Sequence, residues 1–283
     1  MALSRRATAV FVVPALLLLA LFAGAMTSLV RLSLCKGAGG GGFGLGGFYE
    51  PGTWTLHAYT TLLRDHYFRE VCGFSLLLGL GLGATVVVAG LLLALGIRRL
   101  RGTARTLALG AVLLPKLANV LVVLYGLELI LGEVGPLNRL LLATHLRTEP
   151  LRLLHNLPAV LIGEGYLILP YAVLVITVAL DRVDPRLEEA ARGLGAGTWR
   201  TFAWVTLPLV APGLGVAALL SFVWAFGAFV GPYLLGSPDE ITLAVDIQKQ
   251  TFENLAWPRG AAEAVVLLGT VAIGLAVLRR RAR

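Results

Sequence analysis

The chain has 283 residues, of which 57% are hydrophobic and only 14% charged. A soluble domain is about a quarter charged, so composition excludes one and indicates an integral membrane protein. The formal net charge of +8 would suggest nucleic acid in a soluble chain. Here the arginines flank apolar runs, so the charge reports membrane topology, and no nucleic-acid partner is expected. No Cys-x-x-Cys or His-x-x-x-His spacing occurs, so no metal ligand set is indicated.

A membrane-crossing helix needs about 20 mostly apolar residues. Six runs qualify, at residues 7–30, 71–97, 106–131, 157–180, 207–235 and 261–278. The first follows Arg5 and Arg6 and is too long for a typical signal peptide, so it is expected to remain as a helix. After it, residues 37–47 are nearly all glycine. Such a run reads as flexible coil and not as a phosphate loop, because no Gly-Lys-Ser/Thr follows. The second run carries Gly79, Gly81, Gly83 and Ala84, small residues that permit close helix approach. The fourth and fifth contain Pro158, Pro170, Pro208 and Pro212, which a helix bundle tolerates.

Short loops hold Arg98, Arg99, Arg101 and Arg105, then Arg182, Arg186, Arg192 and Arg200; Arg279, Arg280, Arg281 and Arg283 follow the last run. By the positive-inside rule these flanks, and both termini, are expected in the cytoplasm. Cys35 and Cys72 then fall outside, where a disulfide and two free thiols both stay open.

Between the fourth and fifth runs lies a charged, glycine-rich loop at residues 184–208. Asp184-Pro185 is a helix-opening pair: Asp accepts from free N–H groups, and Pro has none to lose. Glu188 and Glu189 occupy early turns favoured by the helix dipole, with Arg192 one turn on. Leu187, Ala190, Ala191 and Leu194 share one small, apolar face suited to a groove on another protein. Gly193, Gly195 and Gly197 end the helix, and Thr198 is placed to cap a second short one. An amphipathic helix lying on the bilayer would show the same periodicity.

The loop also reads E-A-A, three residues, Gly, nine residues, a β-branched residue, one residue, Leu-Pro. Glu189, Ala190, Ala191, Gly195, Val205, Leu207 and Pro208 fill these places. This resembles the EAA signature of membrane subunits of bacterial binding-protein-dependent ABC importers. Leu180–Ala191, Trp199–Phe202, Gly135–Asn138, Gly227–Gly236 and Trp257-Pro258 resemble the spermidine/putrescine branch of those permeases. The resemblance implies an all-α protein with six transmembrane helices in the type I (MetI-like) fold. Residues 1–70 would hold the first helix and the glycine-rich periplasmic loop. Residues 71–283 would form a five-helix core. The loop at 184–208 would be the cytoplasmic coupling helix, with Glu188, Glu189, Ala190, Ala191, Arg192, Gly195, Leu207 and Pro208 docking an ATPase.

It further implies two ABC ATPase subunits, a second permease chain that is homologous but distinct, a periplasmic solute-binding protein and surrounding inner-membrane lipid. The chain itself would bind no cofactor, since ATP and Mg²⁺ belong to the ATPase. Polyamine is the implied solute, with ferric iron, phosphonate, thiamine and opine as alternatives within the branch. The third run departs from the branch's aromatic pattern at 121–126.

Lys116, Asn119, Glu128 and Glu164 lie within or near apolar runs. Ionisable residues there face a cavity or a partner charge, so these four are candidates to line a solute pathway. The structural alternative pairs Lys116 with a carboxylate on a neighbouring helix or subunit and lets Glu128 snorkel outward. Trp224, Phe226, Phe229 and Tyr233 read as packing or interface residues and not as a cation cage. An ATP-independent secondary transporter is the competing class, but it would show paired broken helices and leave the EAA loop unexplained. No His-rich, paired-Asp or Ser/Lys constellation supports an enzyme.

Overall fold

Hydrocarbon offers no hydrogen bonds to a bare backbone, so apolar runs of this length close their own N–H and C=O groups as helices. The computed structural model describes residues 5–37 and 49–281, with side chains for 12–37 and 49–276. The run at 38–48, most of the predicted glycine coil, and the side chains of Arg5, Arg6 and the C-terminal arginines lie outside the described residues.

The helices are α1 Arg5–Ser33, α2 His57–Arg64, α3 His66–Arg98, α4 Gly102–Leu113, α5 Val120–Leu131, α6 Pro136–Ala143, α7 Leu157–Asp181, α8 Pro185–Gly193, α9 Thr198–Thr201, α10 Leu207–Phe226, α11 Val230–Leu235, α12 Leu243–Gln248 and α13 Trp257–Arg281. Two short strands, β1 Lys36–Gly37 and β2 Tyr49–Glu50, pair antiparallel with Lys36 opposite Glu50. Among the described residues six helical stretches are long and apolar enough to cross a membrane: Val12–Ser33, His66–Arg98, Val120–Ala143, Leu157–Asp181, Thr198–Phe226 and Trp257–Ala276.

Two of the six predicted runs differ from what forms. The third does not continue from 106 to 131. Leu114–Leu117 is a 3₁₀ turn, Ala118 is extended, and a new helix starts at Val120. Pro115 supplies no N–H to continue the α-ladder. Asn119 then caps α5 by accepting from the Leu121 N–H at 2.9 Å. The membrane-length stretch begins at the cap and runs through α5 and α6. The fifth run, predicted to reach 235, ends at Phe226, and Val230–Leu235 is a separate short helix beyond Gly227. Hydropathy is blind to both breaks because the residues on either side are apolar.

The chain forms two compact units. One contains residues up to Arg69 with Asp246–Gly269; the other contains Glu70–Val245 with residues from Thr270 on. Within the first, Arg259 donates to Asp65 at 2.6 Å and to Glu263 at 3.1 Å. Tyr67 donates to Asp246 at 3.5 Å. Glu263 and Asp246 are fully buried, so Arg259 offsets charge that would otherwise be costly to hold away from water. Burial raises the Asp65 carboxyl, but its bonds with Arg259 outweigh this and hold it below the ordinary value. Cys35 and Cys72 are free thiols.

The second unit is organised around α7, whose apolar window is 56% buried. It packs chiefly on α10 and also meets α4, α5 and α11. Leu82, Leu124, Val160, Ile176, Leu180 and Ala217 form the centre of its core. Gly79 and Gly83 of α3 are used inside the chain. A Cβ at Gly79 would stand 2.8 Å from the Phe222 ring of α10, and one at Gly83 would meet the Ala218 carbonyl at 3.4 Å. Gly81 has open space beside it. Gly79→Ala is therefore expected to destabilise by about 1–3 kcal/mol through overpacking. Gly81→Ala should be neutral or stabilising by up to about 1 kcal/mol from helix propensity. Thermal unfolding in detergent compares them, and equal shifts would contradict the close α3–α10 approach.

Candidate functional site

Asp184 opens α8 as its N-cap, accepting from the Arg186 N–H at 2.9 Å, and Pro185 follows at the first helical position. At the other end the Ala196 N–H reaches back to the Ala191 carbonyl at 3.1 Å and the Gly195 N–H to Arg192 at 2.9 Å. Gly195 has φ +87°, the left-handed conformation that closes a helix without a Cβ penalty. Gly193 and Gly197 need no such freedom. Gly197, with φ −67°, is the N-cap of α9 and Thr198 is its first helical residue. The predicted Thr198 cap does not form.

The two glutamates of α8 do different things. Glu189 is exposed. Glu188 turns inward, where Arg98 at the end of α3 donates to its Oε1 at 2.8 Å and the Thr206 hydroxyl donates to the same oxygen at 2.8 Å. The side chains of Glu188 and Arg98 are 18% and 22% exposed. Burial raises the Glu188 carboxyl; the bonds from Arg98 and Thr206 and the charges of Arg98 and Arg192 outweigh this and hold it below 4.5. Thr206 ends a π-helical turn, Phe202–Thr206, that joins α9 to α10. Arg105 of α4 adds a second tie, pairing with Asp181 at the end of α7 at 2.5 Å.

Beside the exposed Arg186, Glu189 and Arg192, apolar side chains also face solvent here. Leu187 is 47% exposed and Leu194 90%. Ala191, Leu194, Ala196, Arg200, Trp204 and Val205 line a cleft of about 480 Å³. Trp204 in its wall is 83% exposed, and Trp199 on α9 is 75% exposed. Exposed aromatic and aliphatic side chains around a concavity are what a helix-in-groove contact uses. Leu207 and Pro208 begin α10.

The residues predicted near the membrane interior separate into a cluster and two outliers. Glu164 on α7 is 3% exposed. Trp224 on α10 donates its indole N–H to Glu164 Oε2 at 2.6 Å. The ammonium of Lys116 lies 4.3 Å from the Tyr171 ring centroid and 4.8 Å from that of Trp224. Such distances are cation–π contacts. Trp224 packs against the core, as expected, and in addition links a carboxylate to a cation. Asn119 serves as the α5 cap, and Glu128 is half-buried on α5 outside the cluster. Phe226 is fully buried and Phe229 stacks on Tyr233 at 5.6 Å, as packing residues do. Sequence reading missed Arg98 and Thr206, which look like topology and apolar-run residues, and Tyr171. No local pattern marks them, since their partners are distant in the chain.

A family model described as the inner membrane component of binding-protein-dependent transport systems matches residues 86–280. The spermidine/putrescine transport permease PotB of Escherichia coli K12 is 34% identical over 224 residues, covering 79% of this chain and 80% of that protein. PotB of Haemophilus influenzae is 34% identical over 226 residues, 79% of this chain and 75% of it. In structure, the chain is similar to a chain of a bacterial ABC transporter that imports the acidic polysaccharide alginate. That match has TM-score 0.71 and 19% identity, covering 95% of this chain and 96% of that one.

Because Glu188 is held below its ordinary value, its stabilising contribution is complete above about pH 4.5 and fades as the pH falls through the lowered value. Glu188→Gln and Arg98→Met should each cost about 1–2 kcal/mol at neutral pH, and the double variant less than their sum. A thermal double-mutant cycle in detergent measures this, and strict additivity would mean the two groups do not interact.

Proposed function

Since the chain belongs to the family of inner membrane components of binding-protein-dependent transport systems, we propose that this ABC-importer permease carries polyamines such as spermidine and putrescine. The observation that carries the solute is 34% identity to PotB across most of both chains. A buried carboxylate bonded to an indole whose face already meets a cation is also chemistry that suits an ammonium group. Lys116 and Glu164, with Asn119 and Glu128 on the adjoining α5, are the residues we assign to the path.

The family and the single six-span chain support our reading of the rest of the machine. A single chain of six spans offers about half of an alternating-access path, so a second, homologous permease stands beside it. Two ATPase subunits bind on the side of α8, and ATP and Mg²⁺ are theirs. A periplasmic binding protein delivers solute on the opposite face. The basic flanks at 98–105 and 182–200, with both termini, lie in the cytoplasm of the inner-membrane protein. Docking uses the outer face of α8: Glu189, Ala190, Ala191 and Arg192, closed by the Gly195 turn. ATP and loaded binding protein must favour different conformations, or neither shifts the equilibrium.

The test is uptake by the complete importer in proteoliposomes. Labelled spermidine or putrescine is expected to accumulate with ATP. Gly195→Asp, which puts a side chain at φ +87°, and Glu189→Lys are each expected to cut uptake at least tenfold while membrane insertion is unchanged. Wild-type uptake in both variants would sink the docking role. ATP-driven uptake of another solute but no polyamine would sink the solute assignment.

A further inference from the structure

Lys116 occupies an unusual place for a lysine. It sits on the 3₁₀ turn between α4 and α5, beside Pro115 and before the extended Ala118, where the helix ladder is interrupted. Its ammonium is presented to the faces of Tyr171 and Trp224. The same indole that receives the cation on its face holds Glu164 by its N–H. The backbone of Gly231 closes on the carboxylate from another side, so near that a Cβ there would overlap Glu164 Oε1. Two rings facing the cation, one of them bonded to an oriented, buried carboxylate, are the parts of a receptor for an organic ammonium ion, and the chain's own lysine occupies the rings.

We propose that Lys116 is a tethered occupant of an ammonium site formed by Tyr171, Trp224 and Glu164, and that an ammonium group of the solute takes its place during transport. A buried carboxylate left without a countercharge is costly, so an empty site would be penalised. Exchange of one ammonium for another keeps the charge balanced at every stage. The lysine's flexible four-carbon stem lets its head withdraw without moving a helix. A tethered competitor acts at an effective concentration of order millimolar or above, so only solute presented at high local concentration displaces it. Delivery by a docked binding protein meets that condition. The inference rests on the reading of the chain as a permease for cations, but its test does not depend on polyamine being the solute.

The probe is labelled tetramethylammonium, a cation that rings recognise and that is not a polyamine. Its equilibrium binding is measured on the complete importer in nanodiscs without binding protein. Wild type is expected to bind it weakly and Lys116→Met at least tenfold more tightly. Lys116→Arg, which keeps a cation in the cage, is expected to stay weak. Adding Glu164→Gln or Trp224→Leu to Lys116→Met is expected to abolish the gain. In wild type, saturating tetramethylammonium is expected to raise acetylation of Lys116 by an N-hydroxysuccinimide ester, read by peptide mass spectrometry. This second readout needs no variant to fold. Lys116→Met binding no tighter than wild type, a gain that survives loss of Glu164, or labelling of Lys116 unchanged by the probe would each overturn the proposal. Failure of polyamine uptake with these results intact would remove the solute assignment and leave the cage.

Discussion

A carboxylate taken out of water must be compensated where it lies, and Glu188 is compensated by groups from two other helices. Arg98 ends α3, Thr206 leads into α10, and both meet one oxygen of a residue on α8. Losing Arg98 leaves a partly buried charge without its partner, which costs more than the pair contributes. The short helix is therefore fixed in rotation. Its remaining polar and apolar side chains, among them Glu189 and Leu194, have no choice but to face outward. The division of labour between two adjacent glutamates follows from that one fixed oxygen.

The same contact sets what can be transmitted. Thr206 lies at the last residue of a π-turn that runs without interruption into α10. Along α10, Phe222 is met closely by the glycines of α3, and Trp224 is bonded to Glu164 of α7. On the proposed reading, a displacement imposed on α8 reaches α10 directly and changes the distance between the two helices that share the ammonium site. Close glycine contacts favour this, because a packed interface has discrete arrangements and little continuous give. Substituting a bulkier residue at Gly79 or Gly231 would interfere by a different route, through packing.

How much was legible in the sequence depended on whether the determinant was local. The fourth span was predicted at 157–180 and forms at Leu157–Asp181, because its cap, its proline and its apolar run are contiguous. The opening of α8 by Asp184-Pro185 and the turn at Gly195 are equally local and were readable. The break at Leu114–Asn119 was not, since an apolar count continues across Pro115. The fate of Glu188 could not be read either. Helical spacing places it near Glu189 and Arg192, while its real partners lie on α3 and α10. The ring contacts of Lys116 are of the same kind: Tyr171 and Trp224 come to it only through the packing of α7 and α10. The family was legible because its signature sits in one short loop.

If the Glu188–Arg98 charge pair binds α8 to the spans, exchanging the two charges must first break that hold and then restore it. The measurement is the number of ATP molecules hydrolysed per solute imported by the complete importer in proteoliposomes. Arg98→Glu and Glu188→Arg, each alone, are predicted to raise that number severalfold as the helix loses its hold on the spans. The double exchange restores an opposite pair and is predicted to bring the number back toward the wild-type value. Wild-type coupling in both single variants, or a double exchange as poorly coupled as the worse single one, would contradict the account.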